Sequence, residues 1–421
     1  MEQHTYLVID LKSFYASVEC VERGLDPMAA RLVVADPERT EKTICLAISP
    51  AMKELGIRNR CRVFEIPKGL DYIMAPPRMK LYVDYAAEIY NIYLKYISKD
   101  DIHVYSIDEA FMDVTNYLPL YHMTARELGQ AIMADISSNT GVCATCGIGT
   151  NLYLAKIALD ITAKHAPDFI GYLDEETYRS TLWDHRPLTD FWRIGKGIAS
   201  RLERYGIHTM RDVAQMDEDF LYKLFGVDAE LLIDHAWGKE STAIADIKAY
   251  KAKTNCLTGG QVLGCDYGFE DAKLIVKEMM DLMCLEMVER NLVSSSVTLY
   301  VGYSGRMEAE PARGTASLEA ETNADIILIP AVTALYERIV NPAYPIHRIN
   351  ISVNHVVEET YRQYSLFADA EELERNRKLQ SAMLDIKKKY GKNAILKGMN
   401  LQDASTMKER NRQIGGHKSG E

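Results

Sequence analysis

The sequence lacks any segment of the kind that crosses a membrane or directs export. No apolar run approaches the roughly 20 residues that a bilayer-spanning helix needs, and the opening residues, Met-Glu-Gln-His-Thr, lack the basic and then apolar pattern of a signal peptide. The 421 residues are 47% hydrophobic, which is enough to build a core in each of several domains. We therefore expect a soluble, cytoplasmic protein of more than one domain, without a membrane partner.

The sequence also lacks a disulfide framework. Its eight cysteines are scattered along an intracellular type of chain, which predicts reduced thiols. The pair Cys143-Ala-Thr-Cys146 has a spacing found in zinc and redox sites, but it lies in an apolar run that reads as a strand, where residues three apart point to opposite faces. We interpret this pair as part of the core.

An excess of positive charge is absent as well. The formal net charge is −11, which argues against a nucleic-acid partner because affinity for a polyanion rests on Lys and Arg. The net charge is an average over the chain, however, so local basic patches decide the matter.

Two adjacent acids, Asp108 and Glu109, stand between two stretches that predict strands. Residues 102–106 and 110–114 each alternate in hydrophobicity, so the acids are expected at the tip of a hairpin. Carboxylates this close raise each other's pKa unless a cation neutralises them, which favours a hard divalent metal such as Mg2+. Considered alone, the pair is also compatible with an ordinary solvated turn.

The order of predicted elements brings a third acid to the same place. A strand ending at Asp10 precedes a helix at 13–21, and a long helix at 79–97, the hairpin, a helix at 125–138 and a strand at 142–148 follow a small inserted segment. Without the insertion this is a β-α-β-β-α-β order, the ferredoxin-like arrangement. The first strand then lies antiparallel to the third, so Asp10 meets Asp108 and Glu109.

Three carboxylates at one sheet edge suit two-metal phosphoryl transfer. One cation activates an attacking hydroxyl, and the other stabilises the triphosphate and the leaving pyrophosphate. The backbone amides of residues 11–13, at the start of the following helix, are expected to receive the same phosphates.

Two motifs resemble the metal-binding motifs of Y-family, DinB/UmuC-type, translesion DNA polymerases of bacteria. They are Val-Ile-Asp10-Leu-Lys-Ser-Phe-Tyr15-Ala-Ser-Val-Glu and Tyr-Ser-Ile-Asp108-Glu109-Ala-Phe-Met-Asp-Val. The resemblance implies an α+β, multidomain, right-hand polymerase. Its parts are palm (1–22 and 79–168), small fingers (23–78), helical thumb (169–243), linker (244–254), α+β little finger (255–358) and tail (359–421).

The resemblance implies a site for two Mg2+ ions, with Mn2+ as an alternative. The catalytic acids and metal ligands are Asp10, Asp108 and Glu109, joined by the carbonyl of Leu11. Tyr15 falls on the steric gate, an aromatic ring that excludes a ribonucleotide 2′-hydroxyl. Its alternative interpretation is an ordinary core aromatic residue on a helix. Phe14 beside it is expected to close the pocket wall.

Further residues are implied for the incoming deoxynucleoside triphosphate. Where many members of that family have Tyr and Arg, the fingers segment has Pro50 and Lys53. A contact through Lys53 stays plausible, the tyrosine contact is absent, and Ser49 is a candidate substitute. Lys164 matches the palm-helix lysine that meets the triphosphate, whereas Lys156 is expected to support the palm carboxylates or face solvent.

The thumb and tail carry one motif each. Gly195-Lys196-Gly197, with Arg201 on the following helix, resembles a helix-hairpin-helix whose exposed amides hold a DNA phosphate. In the tail, Gln363-Tyr-Ser-Leu366-Phe367 resembles the peptide that docks bacterial polymerases on the sliding clamp, with Gln363, Leu366 and Phe367 as its contacts. The basic residues that follow are compatible with DNA binding and equally with a solvated tail.

These features predict a low-fidelity, DNA-directed DNA polymerase of DNA repair and SOS mutagenesis. It would extend primer-template DNA opposite damaged bases, in association with the nucleoid, the sliding clamp and, where activity requires them, accessory mutagenesis subunits. Two alternatives stay open at this point: a nucleotide cyclase with a similar palm, and a catalytically idle scaffold that binds the clamp.

Overall fold

A computed structural model describes residues 4–252, 255–305, 307–361 and 369–420. The chain forms two compact units. Unit 1 comprises Met1–Tyr250 together with Lys418–Glu421, and unit 2 comprises Lys251–His417. The crossing at residue 250 falls inside the segment that the sequence predicts as a linker.

Unit 1 is a mixed α/β structure. Its strands are β1 Tyr6–Leu11, β2 Leu32–Val34, β3 Ala47–Ile48, β4 Ile73–Ala75, β5 Ile102–Val104, β6 Glu109–Asp113, β7 Ala144–Gly149 and β8 Ile170–Leu173. Its helices are α1 Phe14–Val21, α2 Pro50–Glu54, α3 Met79–Tyr93, α4 Tyr117–Tyr121, α5 Ala125–Thr140, α6 Leu152–Ile157, α7 Glu175–Thr181, α8 Lys196–Glu203, α9 Met210–Gln215, α10 Glu218–Phe225, α11 Asp228–Ala236 and α12 Ile244–Ala249.

The main sheet of unit 1 has five strands in the order β5-β6-β1-β7-β8. Strand β1 lies between β6 and β7 and is antiparallel to both, which is the pairing that the β-α-β-β-α-β order predicts. Strand β8 adds to β7 in parallel. The sheet therefore continues past residue 168, where the sequence places the end of the palm, because residues 170–173 form a strand too short to stand out in the sequence.

Two glycines let helix α6 lie directly on this sheet. A Cβ atom on Gly147 would come 2.2 Å from the Ala155 carbonyl oxygen, and one on Gly149 would come 2.1 Å from the Ala155 nitrogen. Asn151 begins the helix, since its side chain accepts a 2.8 Å hydrogen bond from the amide of Leu154. This close packing fixes the position of α6 against the strand beside β1.

The inserted segment forms a small sheet in the order β3-β2-β4. Its own core combines residues of strand β2, the loop after β2 and helix α2, among them Val33, Cys45 and Met52, all fully buried. Two features of the sequence explain its compactness: Pro50 begins α2 with the backbone angle that a first helical turn needs, and short apolar runs form the strands.

Helices α7 to α11 form a helical region whose apolar core also includes residues of helix α6 and Leu173 of strand β8. Helix α12 behaves differently, because Ile244 is buried with Tyr6, Val8 and Phe111 of the main sheet. The sequence predicts a linker at 244–254, but its first half is therefore a helix packed on the sheet.

Unit 2 contains a four-stranded antiparallel sheet. Its strands are β9 Asn255–Tyr267, β10 Leu292–Tyr303, β11 Ala312–Thr322 and β12 Ile346–Glu358, in the order β11-β10-β12-β9. Helices α13 Phe269–Glu289 and α14 Asp325–Ile339 pack on one face and share a core with the inward residues of the strands. This unit has a β-α-β-β-α-β order, which fits the α+β domain that the resemblance implies for residues 255–358.

Much of the predicted tail is folded. Helix α15 Ala370–Tyr390 packs on the helices of unit 2, and α16 Met407–Arg410, β13 Gln413–Ile414 and β14 His417–Lys418 follow. The buried carboxylate of Glu278 accepts hydrogen bonds from Asn400, at 2.9 Å, and from the Thr406 amide, at 3.1 Å. Lys397 bridges two further buried acids, Asp281 and Asp325. The predicted clamp-docking residues Gln363, Leu366 and Phe367 lie outside the described residues.

The structure agrees with the predicted thiol state. All eight cysteines are free, and Cys146 is buried in the sheet as the core interpretation requires. Across the described parts of the chain, we find no helix with the length and apolarity needed to cross a bilayer.

Candidate active site

Three carboxylates meet at one end of the main sheet. Asp10, on strand β1, stands opposite Glu109, on strand β6, in the antiparallel register. The amide of Leu11 donates a 2.9 Å hydrogen bond to the carbonyl of Asp108. Residues nearly a hundred positions apart are thus brought together by strand pairing, as the predicted topology requires.

The environment of Asp10 disfavours its charge. Burial, followed by repulsion from Asp108 and Glu109, raises the pKa of Asp10 to about 7 from an ordinary value of 3.8. Burial also raises the pKa of Glu109, although Lys156 opposes this shift. Binding of a cation at this site is therefore favourable, because the positive charge offsets the repulsion between the acids.

Lys156 is the counter-ion inside the site. Its Nζ lies 2.8 Å from Oε2 of Glu109 and 3.0 Å from Oδ2 of Asp160, and the residue is 6% exposed. Burial alone would lower the pKa of Lys156, but Asp160 and Glu109 more than offset it and raise that pKa. A π-helical turn at Ala158–Thr162 follows α6; Asp160 in this turn also pairs with Lys164, at 3.2 Å. Of the two roles expected for Lys156, the structure supports the contact with the carboxylates.

The oxygen atoms of the site suit a hard cation. Oε1 of Glu109 is buried and has no hydrogen-bond partner, whereas Oδ1 of Asp108 accepts a 2.6 Å hydrogen bond from Ser106. Within the described ranges, no three acidic, His or Cys side chains are already spaced as a metal-binding group. The carboxylate oxygens are of the type that a hard cation prefers, and the unpartnered Oε1 of Glu109 is the observation that favours such a ligand.

The expected phosphate contacts of the backbone after Asp10 are largely wrong. The amide of Leu11 is hydrogen-bonded to Asp108, and the amide of Lys12 donates a 2.9 Å hydrogen bond to the carbonyl of Cys143. Both donors serve the sheet and are unavailable to a ligand. The side chain of Lys12, which the sequence analysis overlooked, faces the site instead.

Helix α1 presents the two aromatic residues differently. Phe14 is 2% exposed and belongs to the main core, so it does not offer the exposed pocket wall that the sequence predicts. Tyr15 is half-buried, and its ring stacks on that of Tyr82 with 4.5 Å between centroids and 16° between planes. Burial and then Asp108 raise the pKa of Tyr15, which places its phenol within electrostatic reach of the acids.

Lys12, Lys53 and Lys164 surround the same acidic end. Burial is the main influence that lowers the pKa of Lys12 and of Lys53; the attraction of Asp10 opposes the shift in both, and Lys164 adds to it. The ammonium of Lys12 also lies 3.6 Å from the centre of the Phe169 ring. Three cations close enough to influence one another therefore stand beside a carboxylate, a distribution of charge that is chemically suited to a polyphosphate.

Ser49 is a different case from these lysines. It is fully buried, and its Oγ accepts a 3.1 Å hydrogen bond from the amide of Leu32. Its side chain therefore ties helix α2 to strand β2, and a nucleotide cannot reach it without rearrangement of the fingers segment.

The predicted DNA-binding turn is exposed. Gly195 precedes helix α8, Lys196 begins it, and a Cβ atom on Gly195 or Gly197 would meet no other atom within 4 Å. The element before the turn is a 3-10 turn at Leu188–Asp190 where the sequence predicts an α-helix. The turn at residues 195–197 therefore has open space around it, enough for an extended ligand such as a phosphate backbone.

Arg201 is engaged within the protein. Its guanidinium donates to the carbonyl of Leu224 and lies 4.8 Å from the centre of the Phe225 ring. These contacts link helices α8 and α10, so Arg201 stabilises the helical region where the sequence predicts a DNA contact.

A contact between the hairpin and the loop before α8 escaped the sequence analysis. Trp192 donates a 3.2 Å hydrogen bond from Nε1 to the hydroxyl of Tyr105, and its ring packs at 5.9 Å from that of Phe111. Tyr105 is three positions from Asp108, and Trp192 is three from Gly195. Trp192, three residues before the predicted DNA-binding turn, therefore contacts the acidic hairpin through Tyr105 and Phe111.

Comparisons with known proteins agree with this geometry. The model of the impB/mucB/samB family matches residues 9–160, and that of the impB/mucB/samB family C-terminal domain matches residues 262–366. The chain is 30% identical over 416 residues to the "Putative UV-damage repair protein UvrX" of Bacillus subtilis (strain 168), covering 98% of this chain and 97% of the relative. It is 29% identical to "DNA polymerase IV 2" of the same organism, covering 99% of both chains.

A solved structure supports the same fold. The Y-family DNA polymerase chimera Dbh-Dpo4(243-245)-Dbh matches with a TM-score of 0.66 and 20% identity, covering 84% of this chain and 99% of that chain. Its architecture corresponds to the multidomain α+β fold predicted from the sequence. From the family models and from relatives matched over nearly their whole length, we conclude that this chain belongs to the impB/mucB/samB family of Y-family DNA polymerases.

Proposed function

We propose that this Y-family DNA polymerase adds deoxynucleotides opposite damaged template bases at the acidic end of the five-stranded sheet. The observation that carries the proposal is the convergence of Asp10, Asp108 and Glu109 on neighbouring strands. In the reaction, the primer 3′-oxygen forms a bond to the α-phosphorus as the bond from that phosphorus to the pyrophosphate oxygen breaks.

Two Mg2+ ions, with Mn2+ as a substitute, would be held by Asp10, Asp108 and Glu109 and by the carbonyl of Leu11. When bound, they would lower the pKa of the primer hydroxyl and neutralise charge on the triphosphate. Oε1 of Glu109 has no hydrogen-bond partner and would be available as a metal ligand. Lys156 pairs with the other oxygen of that carboxylate.

The triphosphate would lie among Lys12, Lys53 and Lys164. Lys53 and Lys164 follow from the family resemblance, and Lys12 is added because its ammonium lies over Phe169 beside the same acids. Ser49 is not retained in this set, since it is fully buried. Tyr15 would face the sugar of the nucleotide and exclude a 2′-hydroxyl.

For the remaining parts we propose the palm, fingers, thumb, linker and little finger boundaries given by the resemblance, with β8 and α12 packed on the palm sheet. The turn at Gly195, Lys196 and Gly197 would hold a phosphate of the primer-template. The sliding clamp would bind at Gln363, Leu366 and Phe367, which would raise the local concentration of the enzyme on DNA. Accessory mutagenesis subunits are further candidate partners.

The test is primer extension across an abasic site by the purified full chain, with and without Mg2+. We expect Asp108→Ala to abolish extension. Asp113→Ala is the matched control, because Asp113 lies at the far end of the same strand and pairs with His4 at 3.0 Å. Full extension by Asp108→Ala would refute the site. The family model and the relatives named DNA polymerase IV give no support to the two alternatives, a nucleotide cyclase and a catalytically idle scaffold.

A further inference from the structure

Helix α3 carries a tyrosine whose position bears directly on Tyr15. Tyr82 is fully buried, and its ring is nearly parallel to that of Tyr15 at a centroid distance of 4.5 Å. An immobile aromatic ring restricts the rotation of a second ring that stacks on it. The orientation of Tyr15 is thus determined by Tyr82 as well as by its own helix.

Tyr82 is in turn fixed by a buried carboxylate. Its hydroxyl donates a 2.8 Å hydrogen bond to Oε1 of Glu19, and the Glu19 side chain is fully buried between helices α1 and α3. Burial would raise the pKa of Glu19, but hydrogen bonds from Arg78, Arg23 and Tyr82 outweigh it and lower that pKa. Glu19 is therefore a charged acceptor that holds the phenol firmly.

The guanidinium of Arg78 completes the cluster. It donates through two nitrogens, at 2.9 Å each, to the two oxygens of Glu19. This bidentate geometry fixes the plane of the carboxylate, and with it the direction in which Tyr82 donates. Arg78 is the residue just before helix α3, where the inserted fingers segment returns to the main body of unit 1.

We propose that Tyr82, held by Glu19 and Arg78, is a positioning residue that sets the stringency with which the enzyme excludes ribonucleotides. The inference rests on the proposed function of Tyr15 as the sugar-facing residue. A ring free to rotate away from the sugar would leave room for a 2′-hydroxyl, whereas a ring stacked on an immobile neighbour cannot yield. Tyr82 itself need not touch the nucleotide.

The experiment compares kcat/KM for a deoxynucleotide with kcat/KM for the matching ribonucleotide on one primer-template. We expect Tyr82→Leu, which removes the stacking partner, to lower the ratio by about tenfold, mainly through a gain in ribonucleotide efficiency. Tyr82→Phe keeps the ring and loses only the hydrogen bond to Glu19, so we expect the ratio of the two kcat/KM values to fall by about threefold. Thermal melts of each variant establish that it is folded.

Tyr85→Leu is the matched control. Tyr85 lies one turn further along the same helix, and its hydroxyl donates to Glu22 at 2.8 Å, so its loss should leave the ratio at the wild-type value. A wild-type ratio in both Tyr82 variants would overturn the proposal, and if the leucine variant does not fold, a wild-type ratio in the phenylalanine variant alone overturns it. Tyr15→Ala separates the two levels of inference: an unchanged ratio there refutes the gate itself.

Discussion

Nζ of Lys156 lies 2.8 Å from Oε2 of Glu109, and both residues are buried. The pair joins helix α6 to the acidic hairpin, so the helix that packs on Gly147 and Gly149 also determines where one carboxylate points. A buried ion pair of this kind contributes little when both partners are replaced, but loss of one partner leaves an uncompensated charge.

The first prediction concerns this pair. We expect Lys156→Met to lower the free energy of unfolding by about 3 kcal/mol, because Glu109 and Asp160 lose their buried cation. Urea denaturation of the metal-free protein measures the change. Lys164→Met is the control: Lys164 contacts Asp160 from an exposed position, so its loss should cost less than about 1 kcal/mol. Equal effects of the two substitutions would contradict the assigned role of Lys156.

The raised pKa of Asp10 predicts a pH dependence of stability. The pKa of Asp10 is about 7 in the folded protein, and its ordinary value is 3.8. Between about pH 4 and pH 7, Asp10 is therefore protonated in the folded protein and ionised in the unfolded chain. Stability without metal therefore falls as pH rises from about 4 to about 7, by up to about 4 kcal/mol. Asp10→Asn should remove this fall.

Thermal melts in a chelator at pH 5 and pH 8 measure this dependence. We expect the Asp10→Asn variant to melt several degrees above the wild type at pH 8, with a smaller difference at pH 5. Added Mg2+ should stabilise the wild type at pH 8 more than the variant. A difference in melting temperature that does not change with pH would show that Asp10 is not under electrostatic strain.

The contact between Trp192 and Tyr105 links the loop before helix α8 to the acidic hairpin, and we expect its loss to affect DNA binding. Trp192→Phe keeps an aromatic ring against Phe111 and loses the hydrogen bond to Tyr105, so we expect weaker primer-template affinity, by about threefold. Fluorescence anisotropy with labelled DNA measures it. Trp183→Phe is the control, since Trp183 donates to the carbonyl of Ala236, away from the hairpin. If Trp192→Phe and Trp183→Phe bind primer-template DNA with equal affinity, the hydrogen bond between Trp192 and Tyr105 does not contribute to DNA binding.

The ion pairs of Lys397 with Asp281 and Asp325 attach the segment after residue 369 to helices α13 and α14. Lys397→Ala leaves Asp281 and Asp325 buried without their shared cation, and we expect a loss of about 2 kcal/mol together with faster proteolysis within residues 370–410. Lys388→Ala removes only an exposed pair with Glu289 and should change neither. Cleavage at the wild-type rate in Lys397→Ala would show that other contacts suffice.

Lys12 predicts a selective effect on nucleotide binding. Lys12→Ala should raise KM for the incoming nucleotide by about tenfold, since one charge–phosphate contact is lost, and leave primer-template affinity unchanged. Lys12→Arg should recover part of the loss. Steady-state kinetics at saturating DNA measure both, and an unchanged KM would remove Lys12 from the triphosphate site.

The sequence was sufficient for the convergence of the acids, and the reason is topological. Period-2 alternation marks the strands, and the β-α-β-β-α-β order places β1 beside the strand that follows the acidic turn, so that Asp10 pairs with Glu109 on that side. Patterns of this kind survive in a sequence because each strand must bury one face.

Contacts that depend on burial and side-chain direction could not be predicted. Ser49 and Arg201 have residue types suited to ligands, yet one is enclosed in the fingers core and the other is bound to Leu224. Trp192 and Tyr105 are 87 positions apart and follow no periodic pattern. The short strand β8 has too few residues to show alternation.

The chain enters unit 2 after residue 250 and returns to unit 1 at Lys418. On its return, Lys418 forms an ion pair with Asp36 at 3.2 Å, and the carbonyl of Ser419 accepts a 3.0 Å hydrogen bond from the amide of Lys80. Residues 418–421 are covalently continuous with unit 2, and Lys418 and Ser419 contact the rest of unit 1 through noncovalent bonds. A single cut of the backbone within residues 250–252 would therefore divide the chain into two fragments, and the C-terminal fragment would carry the residues that make these noncovalent contacts with unit 1.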